Sequence, residues 1–229
     1  MNSVTPSFRE LKAILKPMSW KARLDYLWTY YKIVPIVFVC LLAVISVVVT
    51  SIQNSKIESL HSGVLFGVTV SEEASGVLSD DLLNYFEGDG EERVVYCNSF
   101  TYMEGNDPAN LEINQASSMQ LVASLAAREL DYVIFTAGTY KNYVHPDGYY
   151  EDLRRVLTPE QLEELSDLLV WTEKYEDIES YPVALDISDI EFAKHCNRVG
   201  EKLYLVIPIA NPNLERTPLF IDYLLNWKP

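Results

Sequence analysis

Blocks of apolar and polar positions along the chain predict five strands and at least four helices. Compact apolar runs at 64–70, 93–97, 131–135, 183–187 and 202–209 predict buried strands. Helices are predicted from the cap residue Ser79, over 116–130, from the capping box Thr158–Gln161, and from Thr217. In the second helix the face predicted to be buried carries Ala116, Met119, Val122, Ala123, Ala126 and Leu130. Alternating strands and helices predict an α/β domain with a mostly parallel sheet flanked by helices.

The longest apolar stretch predicts a membrane anchor. Residues 33–52 contain no charged residue, and about 20 residues of helix cross a hydrocarbon core of ~30 Å. The segment that follows lacks a small-residue cleavage site, which favours an uncleaved signal anchor. The predicted organisation is a cytosolic, basic and amphipathic N-terminus (1–32), a single transmembrane helix (33–52), a linker (53–62) and an extracytoplasmic α/β domain (63–229).

Charge predicts the orientation of this anchor in the cell membrane. Residues 1–32 carry six basic and two acidic side chains, a net +4, whereas the rest carries twelve basic and thirty-one acidic ones, a net −19. Basic residues beside the N-terminal end of a span keep that end in the cytosol. The acidic excess outside argues against nucleic acid as a partner.

Aromatic and basic residues immediately before the span fit the lipid headgroup region. They are Trp20, Trp28, Tyr30, Tyr31 and Lys32. The alternative is that this segment only extends the transmembrane helix into the cytosol. Both interpretations give it a role in anchoring.

Small-molecule ligands of open α/β sheets bind outside the carboxyl ends of the strands. Applied to the predicted strands, this rule selects Ser71, Glu72, Asn98, Thr136, Ala137, Gly138, Tyr140, Asp186 and Ser188 as candidate ligand-binding residues. Tyrosines such as Tyr140 suit stacking on sugars or peptides. The alternative is that these positions are ordinary strand-to-helix turns and that the tyrosines cover the edges of the domain.

No catalytic residue, metal site or cofactor is predicted. His61, His145 and His195 have no triad or metal-pair spacing, and the H-E-x-x-H, G-x-S-x-G and phosphate-loop motifs are missing. The acidic run 87–92 lacks the alternating ligands of an EF-hand loop. Cys97 and Cys196 allow one disulfide or two free thiols.

Three segments together resemble a known family. The stretch "SSMQLVASLAARELDYVIFT" (117–136), the segment "IANPNLERTPLFIDYLL" (209–225) and "YPVALDISD" (181–189) resemble bacterial extracellular solute-binding proteins of the periplasmic-binding-protein-like class II fold, membrane-anchored members included. Pro218 interrupts the C-terminal helix where the family runs straight. The outer part of about 170 residues is shorter than a two-lobed protein, which implies a reduced or missing second lobe.

Two functions therefore stay open. The first is a tethered binding module that presents a small solute to a membrane protein such as a transporter. The second is a degenerate domain that acts as a protein-interaction or assembly element in the cell envelope, without a small ligand. A third function, hydrolysis, would need a histidine or carboxylate pair in a cleft.

Overall fold

The chain forms two compact units, Met1–Lys56 and Ile57–Pro229. The computed structural model describes residues 12, 15–31, 33–54, 58–88, 90, 93–103, 105, 107–196 and 202–228. In the first unit, helix α1 spans Trp20–Tyr31 and helix α2 spans Ile33–Asn54. Side chains of α2 are described at 36–50, and all of them are exposed. Among the described residues, no helix is found that is long and apolar enough to cross a membrane.

The second unit is the predicted α/β domain. Its strands are β1 (Glu58–Phe66), β2 (Arg93–Phe100), β3 (Tyr132–Thr136), β4 (Leu169–Trp171), β5 (Pro182–Asp186) and β6 (Leu203–Val206). Its α-helices are α3 (Glu72–Gly76), α4 (Leu82–Tyr85), α5 (Pro108–Ala126), α6 (Ala137–Tyr143), α7 (Pro159–Glu164), α8 (Glu191–Lys194) and α9 (Thr217–Asn226). A π-helical turn, Val77–Asp81, joins α3 to α4, and short 3-10 turns cover Leu153–Arg155, Ser166–Leu168 and Leu214–Arg216.

The six strands form one mixed sheet in the order β2-β1-β3-β6-β5-β4. The pairs β1–β2 and β1–β3 are parallel, whereas β3–β6, β5–β6 and β4–β5 are antiparallel. The expectation of a mostly parallel sheet is therefore wrong for the half that follows β3. The sheet becomes antiparallel there because β6 lies between β3 and β5 and is antiparallel to both of them.

A hydrophobic layer covers each face of the sheet, and β3 contributes to both. Tyr132 and Ile134 belong to the layer beneath the α3–α4 segment and α9, while Val133 and Phe135 belong to the layer beneath α5. All four side chains are fully buried, as expected for a central strand with an unbroken apolar run. The Tyr132 ring packs on the backbone of Gly63, where an added Cβ would lie 1.9 Å from the ring.

Several predicted boundaries shift. Strand β1 starts at Glu58, so residues 58–62 belong to the sheet and not to a linker. The strand ends at Phe66, because Gly67 adopts a left-handed conformation with φ of 70°. The next helical segment starts at Glu72 rather than at Ser79, and the three-residue strand β4 was not predicted.

Helix α5 packs on the sheet with the face opposite to the predicted one. Its buried residues are Ser117, Leu121 and Leu125. Met119 and Val122, which were predicted to lie in the core, are 66% and 48% exposed, whereas Leu130, which follows the helix, is buried as predicted. Both faces of this helix are rich in apolar and small residues, so periodicity alone selected the wrong one.

Candidate functional site

The predicted ligand rim is the set of candidate ligand-binding residues at the carboxyl ends of the strands. At the end of β3 the polar groups of this rim are hydrogen-bonded within the chain. Thr136 caps α6: its hydroxyl oxygen accepts from the Thr139 amide at 3.1 Å, and the Thr139 hydroxyl accepts from the Thr136 amide at 2.9 Å. The Thr139 hydroxyl also donates to the Phe66 carbonyl at the end of β1, at 3.4 Å. Both threonines are buried. The Ala137 amide donates to the Lys202 carbonyl at 3.0 Å, whereas Gly138 is exposed.

The end of β5 is closed in the same way by the start of β6. The Lys202 ammonium donates to an Asp186 carboxylate oxygen at 2.6 Å, and the Ser188 hydroxyl donates to the other carboxylate oxygen. Ser188 also accepts the Leu203 amide at 3.0 Å. Burial by itself would raise the pKa of Asp186, but the hydrogen bonds from Lys202 and Ser188 outweigh burial and lower that pKa.

Tyr140 belongs to the same edge, and its ring packs against another tyrosine. The centroids of Tyr140 and Tyr204 lie 4.5 Å apart, and burial, followed by the nearby Tyr204 phenol, raises the pKa of Tyr140 to about 12. Thr136, Ala137, Tyr140, Asp186 and Ser188 therefore do gather around the start of β6. The polar side chains of Thr136, Asp186 and Ser188 bond to the chain itself, and the Tyr140 ring packs on Tyr204, because β6 fills the space between β3 and β5.

Three predicted ligand-binding residues lie elsewhere. Ser71 caps α3, where its hydroxyl accepts the Ala74 amide at 3.2 Å, and Glu72 follows it as an exposed residue in the first turn. Asn98 lies within β2 and not after it, because β2 continues to Phe100.

An open groove that the sequence did not predict contains Asn98. Its volume is about 470 Å³, and it crosses β1 and β2 beside the C-terminal end of α5. The lining residues are Ser59, Ser62, Tyr96, Asn98, Arg128, Glu129, Pro212 and Asn213. Arg128 has a left-handed backbone conformation, φ 59°, which ends α5 and places its exposed side chain at the groove. A cation, an aromatic ring and an amide converge here, as in small-molecule sites.

A buried polar network forms one wall of this groove. The Asp131 carboxylate is fully buried and accepts hydrogen bonds from the Ser62 amide (2.6 Å), the Asn213 amide (3.0 Å) and the Asn213 side chain (3.1 Å). Arg216 donates to the Leu60 carbonyl at 3.1 Å and thereby ties the start of α9 to β1. Burial raises the pKa of Asp131, and the hydrogen bonds from Asn213 and Ser62 oppose that rise.

His61 completes this network without an ion pair. Its Nδ1 atom lies 3.6 Å from an Asp131 oxygen, and among the described residues neither ring nitrogen has a hydrogen-bond partner. The ring is fully buried against Tyr132 and Phe220, with centroid distances of 5.2 and 4.4 Å. Burial, and secondarily the charge of Arg216, lowers the pKa of His61 to about 3, so the imidazole is neutral.

A second histidine contacts a carboxylate on the surface. His195 Nδ1 lies 2.8 Å from Glu73, whose side chain is 72% exposed. Cys196 is buried and its thiol donates to the Phe192 carbonyl at 3.6 Å. The contact is therefore that of a surface pair rather than of a catalytic dyad.

No group of three or more His, Cys, Asp or Glu side chains that could hold a metal ion occurs in the described part of the chain. Asp89, Glu91 and Glu92 of the acidic run lie outside it. Cys97 and Cys196 are not joined by a disulfide in the structure.

An apolar surface also marks α5. Its outer face carries Leu111, Ala116, Met119, Val122, Ala123 and Ala126, all exposed. The charged residue on this face of the helix is Glu112. Surface helices usually carry polar residues on the side away from the core. The outer face of α5 is therefore the second candidate feature of the domain, beside the groove.

The predicted membrane-interface residues are described in part. The side chains of Trp20 and Trp28 on α1 are 72% and 66% exposed. The side chains of Tyr30 and Tyr31 and the whole of Lys32 lie outside the described residues.

Comparison of the chain with models of protein families, with curated proteins and with solved structures gives no match.

Proposed function

We propose that the chain is a single-pass membrane protein whose extracytoplasmic α/β domain is a non-catalytic protein-interaction element of the cell envelope. The uncharged run 33–52 supports the anchor, and the change from net +4 to net −19 across it supports a cytosolic N-terminus. A distant relationship to membrane-anchored solute-binding proteins is part of the same proposal. It rests on the three segments quoted above.

The outer face of α5 is the observation that carries the interaction role. A helix that is apolar on both sides is normally buried on both sides. One side of α5 covers the sheet through Leu121 and Leu125, whereas the other exposes Met119 and Val122. Contiguous exposed apolar surface of this kind marks interaction sites.

The partner is a protein rather than an anionic lipid surface. Helices that lie on membranes carry Lys and Arg along their polar side, and α5 contains no basic residue. The acidic outer domain would also be repelled by anionic headgroups. The partner we expect is an integral membrane protein, such as a transporter. Its extracytoplasmic part would present an apolar surface to the outer face of α5 and basic residues to the acidic domain.

Solute binding is the second candidate function, and the groove favours it. A volume of about 470 Å³ falls within the range of small-molecule sites. Arg128 could pair with a carboxylate or phosphate of the solute, and Tyr96 could stack on its ring. Of the residues predicted from the sequence, Asn98 lines this groove. Thr136, Asp186 and Ser188 do not, and their side chains are hydrogen-bonded within the chain.

Photo-crosslinking in native membranes tests the interaction role. A crosslinking amino acid at position 119 is expected to give one discrete adduct, and the same amino acid at the exposed position 163 on α7 is the control. The adduct should disappear when Val122 is replaced by aspartate. No adduct at 119, together with a solute that raises the melting temperature and loses this effect in Arg128→Gln, would instead establish the binding module.

A further inference from the structure

Strand β2 lies at one edge of the sheet, and its outward backbone groups can be identified. The Gly67 amide, directly after β1, donates to the Phe100 carbonyl at 2.9 Å, so Phe100 points its backbone groups toward β1. Successive residues of a strand point their backbone groups to opposite edges. Val95, Cys97 and Ser99 therefore point theirs away from β1, and no partner for these groups is found within the described chain.

This edge lacks the devices that normally protect an edge strand. Natural edge strands are kept short or carry charges, prolines or bulges. Strand β2 is eight residues long, and residues 94–100 include neither a charge nor a proline. Its pairing with β1 has one irregularity, which lies on β1 between Ser59 and His61. Tyr96, Asn98 and the outward residue Ser99 are exposed, so this part of the strand is accessible to a partner.

We propose that β2 pairs with β2 of a second copy of this chain, antiparallel and about a two-fold axis at Cys97. This register matches every free outward residue: Cys97 faces Cys97, and Val95 faces Ser99 in both directions. It joins two six-stranded sheets into one continuous sheet. Tyr96 of one copy then lies opposite Asn98 of the second copy, a non-hydrogen-bonded pair with Cα atoms about 4.5 Å apart.

The side of α5 that is turned toward this edge suits the same arrangement. The Ser117 hydroxyl donates to the Thr101 carbonyl just after β2, at 2.7 Å, whereas Ser118 bonds to Tyr143 on α6. The side of α5 near Ser117 therefore faces the β2 edge. It carries Ile113, which is 40% exposed, and exposed Gln120. Two α5 helices on the same face of a continuous sheet can bury these side chains between them.

Charge and area agree with a second copy as the occupant. The outer domain is strongly acidic, and the uncharged stretch 94–100 brings no like charges face to face. Repulsion between the remaining charges is screened beyond about 8 Å at physiological ionic strength. In this register residues 94–100 pair, a contact about 23 Å long. With a depth of about 20 Å through the sheet and helix layers it buries about 900 Å² in total, close to the ~1,000 Å² expected of a specific interface.

Cysteine crosslinking of the full chain in detergent tests the register. In a background of Cys40→Ser, Cys97→Ala and Cys196→Ala, one preparation carries Tyr96→Cys and a second, differently tagged, carries Asn98→Cys. Under mild oxidation the mixed pair should form a disulfide-linked dimer, at least tenfold more than either variant alone. Equal crosslinking in all three samples, or none in any, would overturn the register.

A proline separates backbone pairing from side-chain contact. Ser99→Pro removes one outward amide and leaves the ladder to β1 intact, because an edge position tolerates proline. Ser99→Ala is the matched control, because it removes only the hydroxyl that donates to the Val68 carbonyl. Sedimentation of the full chain measures the dissociation constant of the dimer. We expect this constant to be at least tenfold larger for the proline variant than for the alanine variant.

The outcomes also separate this inference from the proposed function. A wild-type chain that stays monomeric at high concentration overturns the dimer and leaves the crosslink at 119 to be judged by itself. A dimer that is insensitive to Ser99→Pro and lost in Val122→Asp would place self-association on the outer face of α5 and would overturn pairing through β2. If the proline variant fails to fold, the mixed cysteine pair decides the register.

Discussion

Replacing His61 with phenylalanine should reduce the loss of stability of the α/β domain between about pH 7.5 and about pH 5. The imidazole is neutral in the folded domain because burial lowers its pKa from 6.5 to about 3. In the unfolded chain it takes up a proton below pH 6.5. The unfolded state therefore binds more protons than the folded state between these values, and stability is lost as the pH falls through this window.

The expected size of this effect follows from the two pKa values. Between about pH 7.5 and about pH 5, protonation of unfolded His61 costs about 2 kcal/mol of unfolding free energy. For a domain of this size that corresponds to a drop in melting temperature of roughly 4–8 °C. Asp131 has the opposite effect on stability. Its pKa is raised in the folded domain, so its protonation at low pH favours the folded state. Asp131 is present in both proteins, so the difference between them reports mainly on His61.

Chemical denaturation of residues 57–229 at several pH values is the assay. Phenylalanine keeps an aromatic ring against Tyr132 and Phe220 and cannot be protonated. The variant should lose about 2 kcal/mol less than the wild type between about pH 7.5 and about pH 5. Equal losses in the two proteins would refute the assignment of a buried, neutral histidine whose ring nitrogens have no hydrogen-bond partner among the described residues.

Three further predictions concern packing and capping in the same fragment, measured by denaturation at neutral pH. Gly63→Ala should cost about 3 kcal/mol or more, because the new Cβ would lie 1.9 Å from the buried Tyr132 ring. Thr136→Ala should cost about 1 kcal/mol, because α6 loses its cap. On α5, Leu121→Ala should cost about 2–5 kcal/mol, whereas Met119→Gln should change stability by less than about 0.5 kcal/mol.

Each of these predictions has a matched control. Gly76→Ala should be neutral or slightly stabilising, because a Cβ at Gly76 meets no atom within 4 Å. Thr136→Ser should retain most of the capping energy, because it retains the hydroxyl group. A large loss in Met119→Gln would contradict the orientation of α5, and a neutral Gly63→Ala would contradict the packing of Tyr132.

The predictions from sequence succeeded where local pattern and burial agree. The run from Tyr132 to Phe135 is apolar and buried on both faces of the sheet, so its composition alone identifies a central strand. Capping residues also predicted a helix start correctly at Thr158, where the capping box is confirmed. These features depend on neighbours within a few residues.

The predictions failed where distant residues decide. Strand β1 begins among polar residues that a local window assigns to a linker, and Ser62 is held there by Asp131, 69 residues further along the chain. The ligand rim was predicted from the carboxyl ends of parallel strands, a rule that assumes an open crevice. No local pattern indicates that β6 enters antiparallel between β3 and β5 and fills that crevice.

The groove, the free edge of the sheet and the exposed apolar face all lie around β2 and α5. The groove beside Tyr96 is bounded by Arg128, which follows α5. It adjoins β2, whose outward backbone groups have no partner within the described chain. The outer face of α5 lies above the same half of the sheet. The opposite edge, by contrast, ends in the three-residue strand β4, which is too short to recruit another strand effectively. Because one edge is blunted and the other is not, we expect association at β2 and α5, away from the rim that the sequence pattern had indicated.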